Sequence, residues 1–158
     1  MAKKPAPQSN LIASNKKAGR DYEIMGRHEC GIELRGTEVK SIRAGKVNVA
    51  DAFARVEKGQ IFLYGCDVQP WETAGKWFQH EAKRPRRLLM HKREINKLFG
   101  TLQQQGLSLI PLSLYFKGSL VKLELGLCKG KKLYDKREDA ARKSAKRDID
   151  RAMKEQNR

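Results

Sequence analysis

Three histidines, three cysteines and eighteen acidic residues are the groups with which this chain could do bond-making chemistry. Their spacing offers no familiar constellation. His80-Glu81 opens like the zinc motif HExxH, but Arg84 stands where the second histidine is required. The carboxylates are scattered, so no general acid–base pair is formed. Gly59-Gln60 follows Lys58 and so lacks the Gly-Gly-Gln triplet of peptide-releasing factors. GxSxG, GxGxxG and GxxxxGK[ST] do not occur. Cys30, Cys66 and Cys128 lie 36 and 62 residues apart, far from any CxxC spacing, and an odd number cannot all pair internally. Cys128 falls in an alternating apolar segment and reads as a small buried side chain rather than a nucleophile. The chain is therefore not read as an enzyme, and no metal or cofactor is implied.

Recognition chemistry is better represented. Residues 83–93, KRPRRLLMHKR, cluster Lys and Arg around a Leu-Leu-Met centre. As a strand, this segment would bury alternate apolar residues and point Arg and His at RNA. The bland reading is an edge strand with a basic exposed face. Trp71, Trp77 and Phe78 flank a long loop before it. Aromatics beside bases can stack on unpaired nucleotides. Only 7% of the chain is aromatic, however, so packing is the favoured role.

The 158 residues carry 34 Lys and Arg against 18 Asp and Glu, a formal net charge of +16. The excess sits in residues 1–20, 76–97 and 129–158, around a nearly neutral body. Clustered positive charge favours a phosphate backbone through Coulomb attraction and counterion release. No stretch approaches the ~20 apolar residues that span a bilayer. The positive N-terminus, MAKKPAPQSN, has no apolar segment after it and does not read as a secretory signal. These features suggest a reduced, cytoplasmic protein with a polyanionic partner.

The elements that must position these groups are mostly strands. Residues 1–19, with Pro5, Pro7 and Gly19, are expected to be a flexible basic arm. Residues 20–128 read as one β-rich domain. Tyr22 and Ile24, then Ile32 and Leu34, alternate with period two. Val47–Val49 and Phe53–Val56 read as one longer strand with a bulge near Asp51. Lys58-Gly59 should turn it into a hairpin through Ile61 and Leu63. Val121, Leu123, Leu125 and Leu127 form the cleanest strand, paired with Leu112–Phe116 through a turn at Lys117-Gly118. Pro111 belongs at an edge or bulge. Ile95, Leu98, Phe99 and Leu102 share one face of a helix over 92–105, stopped by Gly106. A shorter helix is expected over Thr37–Ala44. The sum is a mainly β fold: an oligonucleotide-binding-like barrel of about six strands with flanking helices. Residues 129–158 form a basic tail without an apolar face. It is rich in helix formers, so it should be disordered when free and helical where a surface neutralises its charge.

Several segments together resemble the SsrA-binding protein family. They are Asn15-Lys16-Lys17-Ala18, Asp21-Tyr22-Glu23-Ile24, Glu29-Cys30-Gly31-Ile32, GTEVKSIRAGK (36–46), RPRRLLMHKREI (84–95), PLSLYF (111–116) and KGKKLYDKR (129–137). They run in family order across nearly the whole chain. The resemblance implies a barrel that binds the tRNA-like domain of transfer-messenger RNA (tmRNA, SsrA RNA). It implies delivery of alanyl-tmRNA, with GTP-bound elongation factor Tu, to the A site of ribosomes stalled on non-stop messages. By position, it places Asn15, Arg20, Tyr22, Glu29, Leu89, His91 and Lys92 on the RNA-binding face. Glu29 would be a specificity residue there, because a carboxylate only accepts hydrogen bonds and must avoid phosphate. At His91 some relatives have Asn. The resemblance puts Gly130, Lys131, Lys132, Asp135, Lys136 and Arg137 near the ribosomal decoding centre. Ile149 and Met153 would follow on one face of a helix in the empty mRNA channel. Ala152 is a departure, since related tails often carry a larger aliphatic near Met153. The rival readings are a ribosomal protein or assembly factor on ribosomal RNA, an RNA-processing enzyme and a membrane-surface binder. The last lacks a strongly apolar amphipathic helix.

Overall fold

The computed structural model describes residues 10–75, 77, 79–131 and 133–157, without the side chains of 104, 105 and 133–135. The strands are β1 (Leu11–Ser14), β2 (Tyr22–Ile32), β3 (Val47–Asn48), β4 (Phe53–Glu57), β5 (Gln60–Tyr64), β6 (Asp67–Val68), β7 (Arg86–Leu89), β8 (Ser108–Lys117) and β9 (Leu120–Gly130). The helices are α1 (Lys16–Asp21), α2 (Gly36–Arg43), α3 (Lys92–Gln105) and α4 (Leu133–Gln156). Antiparallel pairing runs β8-β4-β5-β7-β2-β9 and closes from β9 back to β8, so six strands make a barrel. The expected architecture and strand number are both present. β1 is added beside β8, and β3 pairs with β6 as a separate two-stranded piece.

Two hairpins follow the local pattern. Lys58 and Gly59 turn at positive φ (49° and 76°), joining β4 to β5 with Glu57 opposite Gln60. β8 and β9 pair along their whole length, with Lys117 opposite Leu120, so the turn is Gly118-Ser119, one residue later than expected. Helix α3 buries Ile95 and Leu98 against the barrel core and ends at Gly106 in the left-handed conformation.

Two bulges decide which side chains face where. The β2–β9 register shifts between Ile24 and Gly26, and the β8–β9 register shifts between Pro111 and Ser113. One extra residue reverses the side-chain parity beyond it. Tyr22 and Ile24 therefore pack on the outside of the barrel, in a cluster with Ala18, Ile110, Leu112 and Cys128. Beyond the shift, Cys30 and Ile32 of the same parity enter the core. Likewise Ile110 and Leu112 lie outside while Leu114 lies inside. The period-two pattern at Tyr22 and Ile24 and the one at Ile32 therefore serve two different faces of the barrel. Pro111 does sit at a bulge, where its missing N–H costs no ladder bond. Gly126, opposite Ile110, leaves room for Leu112. A Cβ there would come within 2.9 Å of the Leu112 side chain.

Three further expectations are corrected. Residues 11–19 are not a loose arm: they form β1 and most of α1, and Ala18 is buried. Asn15 caps α1, accepting from the Ala18 N–H at 3.0 Å, while its amide donates to Pro111 O at 2.9 Å and Val49 O at 3.3 Å. Residues 1–9 of that arm lie outside the described residues. Val47–Val49 and Phe53–Val56 are not one strand: a turn at Ala50-Asp51 separates them, closed by Ala52 N–H to Val49 O at 3.2 Å. Finally, β7 is an interior strand between β5 and β2, and Arg86 points inward.

Arg86 is fully buried at one end of the barrel beside Glu38 of α2, which is also fully buried. Its Nε donates to one Glu38 oxygen. One terminal nitrogen donates to Cys66 O at 2.8 Å and Arg84 O at 3.1 Å, and the other donates to Ala82 O at 3.1 Å. Arg84 adds a second guanidinium to Glu38 at 2.6 Å. Burial pushes the Glu38 carboxyl up, but the bonds from Arg84, the Arg35 amide and Arg86 outweigh it and hold Glu38 below its ordinary 4.5. The stability this contributes is complete above that value and is lost as pH falls through the lowered folded value. Replacing Glu38 by Ala leaves a buried guanidinium unpaired and should destabilise the fold by roughly 3–5 kcal/mol. Urea denaturation at neutral pH tests this, and a loss below ~1 kcal/mol would show the pair is not needed.

Candidate nucleic-acid interface

The parity set by the β2 bulge turns Arg27, Glu29 and Gly31 to the outer wall. Their neighbours there are Gly126, Glu124 and Lys122 of β9. Leu89 of β7 lies opposite Gly31, and Tyr115 of β8 lies opposite Lys122. At one end of this wall, Leu89 is 47% exposed, beside exposed Arg87, His91 and Lys92. Gly31 lets Leu89 lie against the strand; a Cβ there would meet the Leu89 Cβ at 3.2 Å. His91 occupies the N-cap of α3 without a side-chain capping bond.

Glu29 is half-buried within this patch. The Tyr115 hydroxyl donates to one of its oxygens and Lys117 Nζ donates to the other at 3.0 Å. The Tyr115 bond and then the Lys117 bond hold the Glu29 carboxyl below its ordinary 4.5. It is therefore an anion at neutral pH, with one donor on each oxygen and lone pairs left for a base amino group or a 2′-hydroxyl. Further along the wall, Arg27 pairs with Glu124 at 2.7 Å.

The sequence-predicted residues fall into two groups, one at each end of β2. Glu29, Leu89, His91 and Lys92 form the patch just described. Asn15, Arg20 and Tyr22 lie towards the other end, roughly 20–30 Å away along β2 at the usual strand rise. Arg20 is exposed on α1. Tyr22 follows α1 and packs with Ile24 and Phe53 on the outer cluster. Asn15 is buried, and its carboxamide is occupied by the three bonds given above, so it acts by shaping α1. Sequence reasoning missed Lys117, Lys122 and Tyr115. Period two would have placed Lys122 outward on β9, but only cross-strand register puts it beside Gly31 and Glu29. The aromatics divide: Trp71 is partly buried under Lys46, whose Nζ lies 5.8 Å from the ring centre, while Trp77 is 94% exposed and is not core. Phe78 lies outside the described residues.

The tail is helical over Leu133–Gln156 in the chain alone, although its composition predicts disorder when free and helix only against a surface. Gly130 ends β9 opposite Tyr22, and Lys131 follows with its N–H on Asp21 O at 2.9 Å. Lys136 is partly buried, whereas Arg137 and every residue from 140 to 157 are exposed, including Ile149 and Met153 at 56% and 60%. Ala152 shares that exposure. Lys132 and the side chain of Asp135 lie outside the described residues. Residues 140–157 carry six bases and three acids.

Among the described residues, no group of three or more His, Cys, Asp or Glu could hold a metal ion. The three cysteines are buried and unpaired. Burial pushes Cys66 and Cys128 up to about 11 and Cys30 to about 12. Among the described residues, no helix is long and apolar enough to cross a membrane.

The fold and its outer wall define a small closed β-barrel of the oligonucleotide-binding type with a basic helical tail. The chain belongs to the SmpB family: the family model described as "SmpB protein" matches residues 12–155. It is 56% identical over 144 residues to the SsrA-binding protein of Carboxydothermus hydrogenoformans, covering 91% of this chain and 96% of that one. With the SsrA-binding protein of Geobacillus thermodenitrificans it shares 51% over 154 residues, covering 98% and 99%. A solved structure described as "tmRNA-SmpB: a journey to the center of the bacterial ribosome" is similar at a TM-score of 0.64 and 44% identity. That match covers 77% of this chain and 85% of the other.

Changing Tyr115 to Phe removes the largest influence holding Glu29 down, so the Glu29 pKa should rise toward its ordinary value. Carboxyl-carbon NMR titration reads this directly. An unchanged titration would mean that Tyr115 does not hold the carboxylate.

Proposed function

We propose that this chain is an RNA-binding factor of trans-translation, acting in the cytoplasm as a binding protein rather than an enzyme. It binds the tRNA-like domain of tmRNA through both ends of the β2 wall. With GTP-bound elongation factor Tu, it brings alanyl-tmRNA to the A site of ribosomes stalled on non-stop messages. The tail then enters the decoding centre and the vacant mRNA channel. The names of the relatives and the described tmRNA–SmpB structure support this reading. The structural observation that carries it is the union of two surfaces in one chain: a barrel wall with an RNA-compatible patch at each end, and a basic helix that stands clear of the body.

On the wall, Arg20, Lys92 and Lys122 supply charge for phosphates, and Leu89 offers apolar surface for a base or ribose. Glu29 supplies selectivity, because its fixed carboxylate repels phosphate yet accepts from amino and hydroxyl donors. The tail carries charge of the sign needed in a channel lined by RNA, with Ile149 and Met153 as apolar grip. A general ribosomal-RNA binder would use the same charge without discriminating between RNAs.

Competition binding separates these readings. Labelled tRNA-like domain, with ordinary tRNA in excess, should stay bound at physiological salt. Equal competition by ordinary tRNA would favour a general RNA binder. Glu29→Ala should weaken specific binding by roughly ten- to a hundredfold, the worth of one or two hydrogen bonds to a charged group. Unchanged affinity would remove Glu29 from the interface. Truncation after Leu133 should leave this affinity intact and abolish peptide tagging on stalled ribosomes. Loss of RNA affinity on truncation would contradict the division of labour.

A further inference from the structure

Asp21 closes α1 between the exposed Arg20 and Tyr22, yet much of its bonding is directed to the tail. Its backbone carbonyl accepts the Lys131 N–H at 2.9 Å. Its carboxylate lies 3.4 Å from Lys136 Nζ and 3.7 Å from Arg20 Nε. Alongside, Lys131 Nζ donates to Gly19 O at 3.4 Å and pairs with Asp139. The end of α1 is thus tied to the root of α4 at two successive points, residues 131 and 136. Two of the basic residues assigned by resemblance to the ribosome, Lys131 and Lys136, are engaged by the protein itself.

The mechanical consequence follows from length. Helix α4 has 24 residues and spans about 36 Å at 1.5 Å per residue. From residue 140 onward, every described side chain is exposed, so that stretch has no support of its own. A single attachment at residue 131 would act as a hinge; a second at residue 136 fixes a direction. Tilting the root by about 20° would move the far end by roughly 12 Å over that length. A partly exposed ion pair contributes little to stability, with a median of about 0–1 kcal/mol. It can still fix an angle, because small differences at the root are multiplied along the rod.

We propose that Asp21 is a positioning residue that sets the direction in which the tail helix leaves the barrel, holding Lys131 through its backbone and Lys136 through its carboxylate. Its consequence on the ribosome rests on the tail role proposed above; the geometry itself does not.

The test is a distance measurement on the full chain. Spin labels are placed at Asn96→Cys on α3 and Ser144→Cys on α4, both exposed positions. The native thiols are buried with raised pKa values and should label poorly. The otherwise unaltered chain should give one narrow distance distribution. Asp21→Asn should broaden it without changing the melting temperature of the barrel. Lys136→Gln should broaden it equally, and the double variant should add nothing further. An unchanged distribution in Asp21→Asn overturns the proposal. So does additive broadening, or broadening that comes only with a destabilised barrel. In parallel, Asp21→Asn should bind the tRNA-like domain within about threefold of normal, yet lose about tenfold in tagging. If the unaltered chain fails to bind that domain, the functional reading falls, while the distance result still decides the role of Asp21.

Discussion

The contact on which most of this architecture leans is the buried pair of Glu38 and Arg86. A carboxylate and a guanidinium, both fully buried, are costly to take out of water. They persist because Arg84, the Arg35 amide and the carbonyls of Cys66, Ala82 and Arg84 complete their hydrogen bonding. That network joins α2, the end of β5 and the start of β7. It also holds residues 81–84 of the long loop against the barrel. With the start of β7 fixed, Leu88 and Leu89 meet Ile32 and Gly31 in register, and Leu89 is presented outward. The patch around Leu89 and Glu29 is therefore positioned partly from the opposite end of a four-residue strand.

The second constraint is the pair of bulges. A barrel wall this small would ordinarily give each strand one buried and one wet face. Here β9 runs unbroken while β2 and β8, on either side of it, each reverse parity once. One stretch of the wall is consequently covered by α1 through Tyr22, Ile24, Ile110 and Leu112, and the next stretch is free to carry Glu29, Lys122 and Tyr115. The stretch covered by α1 and the stretch that carries these polar side chains are separated along the strands rather than between them.

These two features also mark where the sequence was legible. The β4–β5 hairpin, the β8–β9 pair and α3 are local patterns with their own turn and stop residues, and each could be read from a window of about a dozen residues. Pro111 could be placed at a bulge for the same reason, since a missing N–H has only local consequences. The β2 bulge has a marker in Gly26, since an isolated Gly in a strand often signals a bulge, but a lone Gly does not say which side chains change face. Arg86 was unreadable because a basic residue in a basic run has every reason to face water; its partner lies 48 positions away. The β1 strand was missed since Leu11 and Ile12 are too few to form a pattern, and β8, its partner, lies about a hundred residues on. Of the site, motif resemblance supplied the named positions. Only the register showed that they form two groups, that Asn15 is enclosed, and that Lys122 and Tyr115 belong with Glu29.

The free-standing part of α4 has one more consequence. Its helical state draws nothing from the barrel, so local propensity and solvent conditions alone govern it. An isolated helix of this size melts gradually, whereas a closed barrel unfolds in one cooperative step. The chain thus joins two thermodynamic systems end to end. Warming or salt should loosen the tail well before the barrel yields, and substitutions beyond residue 140 leave the folding of the body untouched. Beyond residue 140 the tail's sequence answers to whatever surface it meets, and the barrel places no demand on it.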